Sequence, residues 1–362
     1  MPNSTDVFRT SKVLLVALAV CLVALLASTK PTEAAFSGQN GKILFTSYRS
    51  TGEGVDNPEG DEEIFTINPD GTGLTQLTHN STYEHEPAWS PAGTKIAFTR
   101  SDGHDDEIYT MPTSGGVTTQ VTANEFDDHE PAWSPNGTKI AYVVHVPDDP
   151  ETQDYDPEHL LYTIPVGGGT PTLVSDYYPN NPAWSPDGTK IAFSTGASVY
   201  TVPANGGTPT AVTHQQVWSE RGIDWSPDGT KIAYVADDDE PVKPGYADSE
   251  IWVISASGGI PTDVTDDEEY REQYTPTWSP NGSKIAFTDQ HDAIYTISSA
   301  GGTPTKVAEG LEVQSDLDWG GAPAIARPTS KAECKNGGHK NFAFKNQGQC
   351  IASVQGAATN ER

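Results

Sequence analysis

The sequence predicts an all-β fold: a six-bladed β-propeller with four-stranded antiparallel blades, in which the last segment closes blade one. Three observations carry this prediction. Trp89, Trp133, Trp184, Trp225, Trp278 and Trp319 recur at spacings of 44, 51, 41, 53 and 41 residues. The first five are each followed by a near-identical turn and strand. Two further strand-like segments then recur in every period, so each period holds four strands.

The first two strands form the hairpin EPAWSPAGTKIAFTR, beginning at Glu86, with near-copies beginning at Glu130, Asn181, Gly222 and Thr275. Its turn has a mechanism. Ser bonds back to the backbone, Pro presets φ, and Gly accepts the left-handed geometry that returns the chain. The KIAF or KIAY that follows has the β-branched and aromatic composition of a short strand. The third strand reads EIFTI at Glu63, EIYTM at Glu107, LLYTI at Leu160, SVYTV at Ser198, EIWVI at Glu250 and AIYTI at Ala293. A Gly-rich turn usually follows, and then a short fourth strand of the LTQLT or PTAVT kind.

The first unit lacks its tryptophan, and aligning Lys42 with Lys95 puts Phe36 in the place of Trp89. At the far end, LDWG from Leu317 is a first strand with no second strand behind it. Ring closure reconciles the two: Leu317 to Trp319 supply the innermost strand of blade one and remove the open edges. The alternative places residues 34–37 in that seat.

The WSPDG-x-KIAF hairpin with its EIY-type and LT-type strands resembles the propeller repeats of the TolB periplasmic protein and its relatives, a WD-repeat-like family, over about residues 36–320. The resemblance implies the repeat and a closed propeller. It does not extend to the small α/β domain that precedes the propeller in TolB-like proteins, because only about 35 residues stand before the repeats. Related propellers also precede serine-peptidase domains, but no G-x-S-x-G elbow occurs here.

The predicted organisation is a signal peptide (1–34), the propeller (35–320), a linker (321–332) and a short basic C-terminal segment (333–362). Arg9 and Lys12 precede fifteen apolar residues from Val13 to Ala27, a length that suits a signal h-region and is short for a membrane span. Cleavage after Ala34 leaves no stable span and a secreted, periplasmic or envelope protein; an uncleaved segment makes it membrane-anchored. Cys334 and Cys350 are then expected to pair in an oxidising compartment. The segment around them resembles a short C-terminal segment of assorted secreted bacterial proteins, with His339 where that pattern usually has Trp.

The formal net charge is −29, divided as −33 over residues 1–320 and +4 over residues 321–362. This excess of acid argues against nucleic acid as a partner and favours solubility, cationic partners or metal ions. A monomer is expected.

Repeated residues are read as scaffold. The tryptophans share the period of the blades, so they occupy equivalent seats between sheets instead of converging on a ligand. Function is expected where the blades differ, at the end bearing the loops from strand two to strand three and from strand four to the next blade. These loops are irregular and acidic, as in TGEGVDNPEGDE (51–62), HVPDDPETQDYDPEH (145–159) and DDEEYREQYT (266–275). Tyr83, Phe126, Tyr177, Tyr178, Trp218, Tyr270 and Tyr274 interrupt the acids and are the candidate binding residues for a protein or glycan partner in the envelope or outside the cell. They are equally readable as packing clusters on the blade tops.

His85-Glu86 and His129-Glu130 stand just before their tryptophans, hence at the channel mouth of adjacent blades, in register with Asn180-Asn181, Arg221-Gly222, Tyr274-Thr275 and Ser315-Asp316. His85, Glu86, His129 and Glu130 are the candidate metal residues, with imidazole suiting zinc and oxygens suiting calcium or manganese. The leading functional expectation is a noncatalytic exported binding module or scaffold without a required cofactor. The alternative is a metal-assisted lyase or hydrolase acting on a saccharide at the channel mouth.

Overall fold

The computed structural model describes residues 40–321 apart from 53, 102, 148–157, 214–221, 238–248 and 266–271, all within the unit Ala34–Arg362. The expected signal peptide, the linker beyond residue 321, the basic segment, Cys334, Cys350, Trp218 and Tyr270 lie outside the described residues. Among the described residues no helix is long and apolar enough to cross a membrane.

Six four-stranded antiparallel sheets make the ring. Blade one contains β1 (Asn40–Ser47), β2 (Glu63–Ile67) and β3 (Thr75–Gln76). Blade two follows with β4 (Glu84–Trp89), β5 (Lys95–Ser101), β6 (Asp106–Pro112) and β7 (Thr119–Gln120). Blade three holds β8 (Asp127–Trp133), β9 (Lys139–Val146), β10 (Glu158–Pro165) and β11 (Thr172–Ser175). Blade four holds β12 (Asn180–Trp184), β13 (Lys190–Ser194), β14 (Val199–Pro203) and β15 (Thr210–Ala211). Blade five comprises β16 (Ile223–Trp225), β17 (Lys231–Asp237), β18 (Ser249–Ser255) and β19 (Thr262–Asp263). Blade six comprises β20 (Gln273–Trp278), β21 (Lys284–Asp289), β22 (Ile294–Ser298) and β23 (Thr305–Ala308). The last strand, β24 (Val313–Gly321), pairs with β1 through Ile43 opposite Trp319 and completes blade one. The closing strand therefore comes from the end of the chain and not from residues 34–37.

The KIAF pattern follows from packing between sheets. A second strand has a neighbouring blade on each face, so both faces are buried and the strand is apolar throughout. In β5, Ile96 and Phe98 turn back toward Leu44 and Ile64 of blade one. Ala97 turns forward, where its small side chain leaves room for Trp133 of blade three beside Ile140 and Tyr142. The tryptophans thus sit between sheets, and Trp319 is only 2% exposed.

The six blade joints use two kinds of hydrogen bond, divided by the residue before each tryptophan. Where that residue is alanine, the next blade's indole donates to its carbonyl: Trp133 to Ala88 at 3.1 Å, Trp184 to Ala132 at 3.2 Å and Trp225 to Ala183 at 3.1 Å. Where it is Asp or Thr, its side chain accepts the next tryptophan's backbone N–H. Trp278 donates to Asp224 at 2.7 Å, Trp319 to Thr277 at 3.1 Å and Trp89 to Asp318 at 2.6 Å.

Antiparallel alternation puts the SPxG turns and the Gly-rich turns at one end of the ring. The variable loops lie at the other, beside the first residues of the innermost strands.

Candidate functional site

The innermost strands do not run straight into the channel mouth. Their register with the second strand shifts between His85 and Ala88, His129 and Ala132, Asn180 and Ala183, and Tyr274 and Thr277. At each shift one residue is left-handed: Glu86 (φ 54°), Glu130 (φ 56°), Asn181 (φ 50°) and Thr275 (φ 45°). Such a conformation costs roughly 1–3 kcal/mol for a residue with a side chain, and a bulge of this kind re-aims the side chain it carries. Blade five places Gly222 (φ 86°) at the same point, where a Cβ would stand 3.0 Å from the Cα of Thr275.

The re-aimed side chains clamp the next blade. Glu86 Oε2 accepts the backbone N–H of Glu130 at 2.6 Å and the hydroxyl of Thr99 at 2.8 Å. Glu130 in turn accepts the backbone N–H of Asn181 at 2.5 Å and its side-chain amide at 2.6 Å. All but the Thr99 bond run between blades, and together they offset the backbone strain. Glu130 is thereby directed to Asn181.

The two expected histidines do converge, with a carboxylate not foreseen from the sequence. Asp106, the first residue of β6, places Oδ2 3.5 Å from His85 Nε2 and 4.0 Å from His129 Nε2. The other nitrogen of His129, Nδ1, lies 3.6 Å from Glu86 Oε2. One ligand atom from each of His85, Asp106 and His129 falls within 4.8 Å of the others. The row continues into blade three: ring centroids are 5.9 Å apart from His85 to His129, 4.7 Å to His145 and 4.1 Å to His159. His159 Nδ1 meets Asn180 Oδ1 at 3.0 Å.

Charge is strongly sorted along this wall. Burial works against charging His85, but Asp106, Glu86 and Glu62 outweigh it and raise the imidazole to about 9. His129 is also raised, because Glu86 and Asp106 overcome the same burial. Burial opposes ionisation of Glu86 as well, yet the two imidazoles beside it hold the carboxyl far down, at about 2. Asp106 is lowered chiefly by its bond to His85. Burial and the charge on Glu86 push Glu130 up to about 8. Burial, with His159 and His129 nearby, depresses His145 to about 4.

A cavity of about 700 Å³ runs through the ring from Glu62, His85 and His159 at this end to Pro91 and Pro135 of the opposite turns. On the loops at this end of the ring the binding candidates separate. Tyr83 is 54% exposed and Phe126 39%, on consecutive strand-four to strand-one loops. Tyr177 and Tyr178, on the next such loop, are 49% and 46% exposed. Tyr83 also meets Tyr48 edge-on at 6.3 Å, and Tyr177 meets Tyr200 at 5.0 Å. Tyr274 is half-buried at the start of β20, its hydroxyl donating to Glu272.

Asp106, His145 and His159 were missed because their repeats give no motif around them. The pairing of β9 with β10 would have found two: carried outward from Ile140 opposite Ile164, it sets His145 opposite His159.

This architecture is similar to that of TolB-type β-propellers. Residues 54–153 match the TolB beta propeller domain family, PD40. TolB from Acinetobacter baumannii superposes with a TM-score of 0.59 at 18% identity, over 78% of this chain and 67% of that one. A TolB from Agrobacterium tumefaciens gives 0.53 at 18% identity, over 76% of this chain and 91% of that one. An oligogalacturonate lyase solved with manganese gives 0.50 at 16% identity, over 76% and 77%. Dipeptidyl-peptidase 5 of Porphyromonas gingivalis is 44% identical over 41 residues, which is 11% of this chain and only 6% of that protein's length.

Proposed function

We propose that the protein is an exported, noncatalytic binding propeller that recognises a protein or glycan partner through its acidic, loop-bearing end. The observation that carries this reading is the set of exposed aromatics Tyr83, Phe126, Tyr177 and Tyr178 on three successive loops at the same end of the ring. Aromatic anchors standing among charges on a rigid frame are the usual make-up of a recognition surface. The acidic body, at −33 over residues 1–320, selects partners that present cationic groups there. Export rests on the apolar segment Val13 to Ala27 behind Arg9 and Lys12. The TolB-like fold is compatible with an envelope role. The likeness to the manganese-bound lyase is one of architecture at 16% identity and brings no lyase chemistry with it.

The test compares wild type with a triple variant, Tyr83→Ala, Phe126→Ala and Tyr177→Ala, on a glycan array and a panel of basic envelope peptides. Removal of exposed anchors should weaken the hits of the wild type about tenfold or more, with an unchanged melting temperature. Undiminished binding by the variant, or no hit for the wild type, would defeat the reading.

A further inference from the structure

We propose that His85, Asp106 and His129 form a binding site for one divalent transition-metal ion of the zinc type at the channel mouth, independent of the partner surface. The three residues come from two blades. His85 lies at the mouth end of β4, Asp106 begins β6, and His129 lies at the mouth end of β8. Both imidazoles present Nε2 to the same carboxylate oxygen, at 3.5 and 4.0 Å. A tetrahedral ion holding nitrogen and oxygen at about 2.0–2.1 Å separates its ligand atoms by about 3.4 Å, so small side-chain adjustments suffice to close the three atoms around it.

The surroundings fit the same chemistry. Glu86 Oε2 lies 3.6 Å from His129 Nδ1, placing a carboxylate behind the imidazole. In metal sites such a partner orients the ring, fixes the tautomer and leaves Nε2 free to ligate. Glu86 is itself anchored by Thr99 and by the backbone of Glu130, so its position does not depend on an ion. The side chains of His85, Asp106 and His129 retain 22%, 26% and 17% exposure, which leaves access for an ion and for a solvent ligand. Two nitrogens and one oxygen suit a borderline ion, whereas calcium takes six to eight oxygens.

The experiment is calorimetric titration of the chelator-treated full chain with Zn²⁺, repeated with Ca²⁺ and with the variants Asp106→Asn, His129→Ala and His159→Ala. Thermal melts verify that each variant folds. The expected result is one Zn²⁺ per chain, affinity lower by on the order of 100-fold in the first two variants, and wild-type affinity in His159→Ala, which alters the same row outside the three ligands. Cobalt substitution should give a visible absorption band that Asp106→Asn abolishes while still folded. Absence of stoichiometric zinc, equal affinity in Asp106→Asn and wild type, equal loss in His159→Ala, or calcium binding as strong as zinc would each overturn the assignment.

Discussion

Asp224 and Asp318 show how one side chain changes the means of joining two blades. Each stands where blades two, three and four carry alanine, and each takes a backbone N–H from the next tryptophan. Burial, aided by the charge on Asp318, raises Asp224 to about 7, and burial raises Asp318 to about 6. A carboxyl raised in the folded state binds its proton more tightly there than in the unfolded chain. Its stabilising contribution is therefore complete below the unfolded value near 4 and is lost as pH rises through about 6–7. Urea midpoints of the wild type should accordingly fall between pH 5 and pH 8. The double variant Asp224→Asn, Asp318→Asn keeps the acceptor oxygens and should show a smaller fall. Equal slopes would contradict this account. Asp224→Ala, which leaves the Trp278 N–H without its acceptor, should cost about 1–3 kcal/mol in the same measurement.

At the scale of the element, the hairpin was readable because turn chemistry is local. Gly93 and Gly137 donate back to Ser90 and Ser134 at 2.8 Å, and Ser90 Oγ accepts the N–H of Lys95 at 2.9 Å, all within one turn. The Gly-rich turns were readable as turns, but their second role was not. Gly115 has φ 75°, and a Cβ there would meet the carbonyl oxygen of Leu77 in the preceding blade at 2.5 Å. Its backbone is thus a packing surface as well as a bend. Gly115→Ala should destabilise by about 1–3 kcal/mol, measured by urea unfolding; a neutral effect would show that the joint yields freely. The bulges at Glu86 and Glu130 were equally hidden, since a residue before proline is expected to be extended. The left-handed turn there aims each carboxylate at the N–H donors of the neighbouring blade, a partner the local sequence does not show.

At the scale of the whole molecule, closure is carried by β24. It supplies blade one with its innermost strand and fills that blade's tryptophan seat with Trp319, beside Ile43, Phe45 and Phe65. A chain ended after Glu312 leaves the β1 edge and this apolar cluster uncovered, and should aggregate instead of eluting as a monomer in size-exclusion chromatography. A soluble truncated chain with a cooperative melt would refute closure as the source of its stability. Trp319→Ala in the full chain should cost about 3–5 kcal/mol, read from urea unfolding.

The repeated tryptophans, the SPxG turns and the KIAF strands determined the blade, the number of blades and the end at which variation is collected. Each signal lies within a few residues or recurs at a fixed period, so it can be read along one dimension. The tertiary structure decided which polar groups meet. Asp106 joins His85 and His129 because adjacent sheets bring β4, β6 and β8 to one wall, while Glu130 leaves that group because a bulge turns it toward Asn181. Those outcomes depend on the angle between neighbouring blades and on a single reversed φ, and neither leaves a periodic trace in the chain.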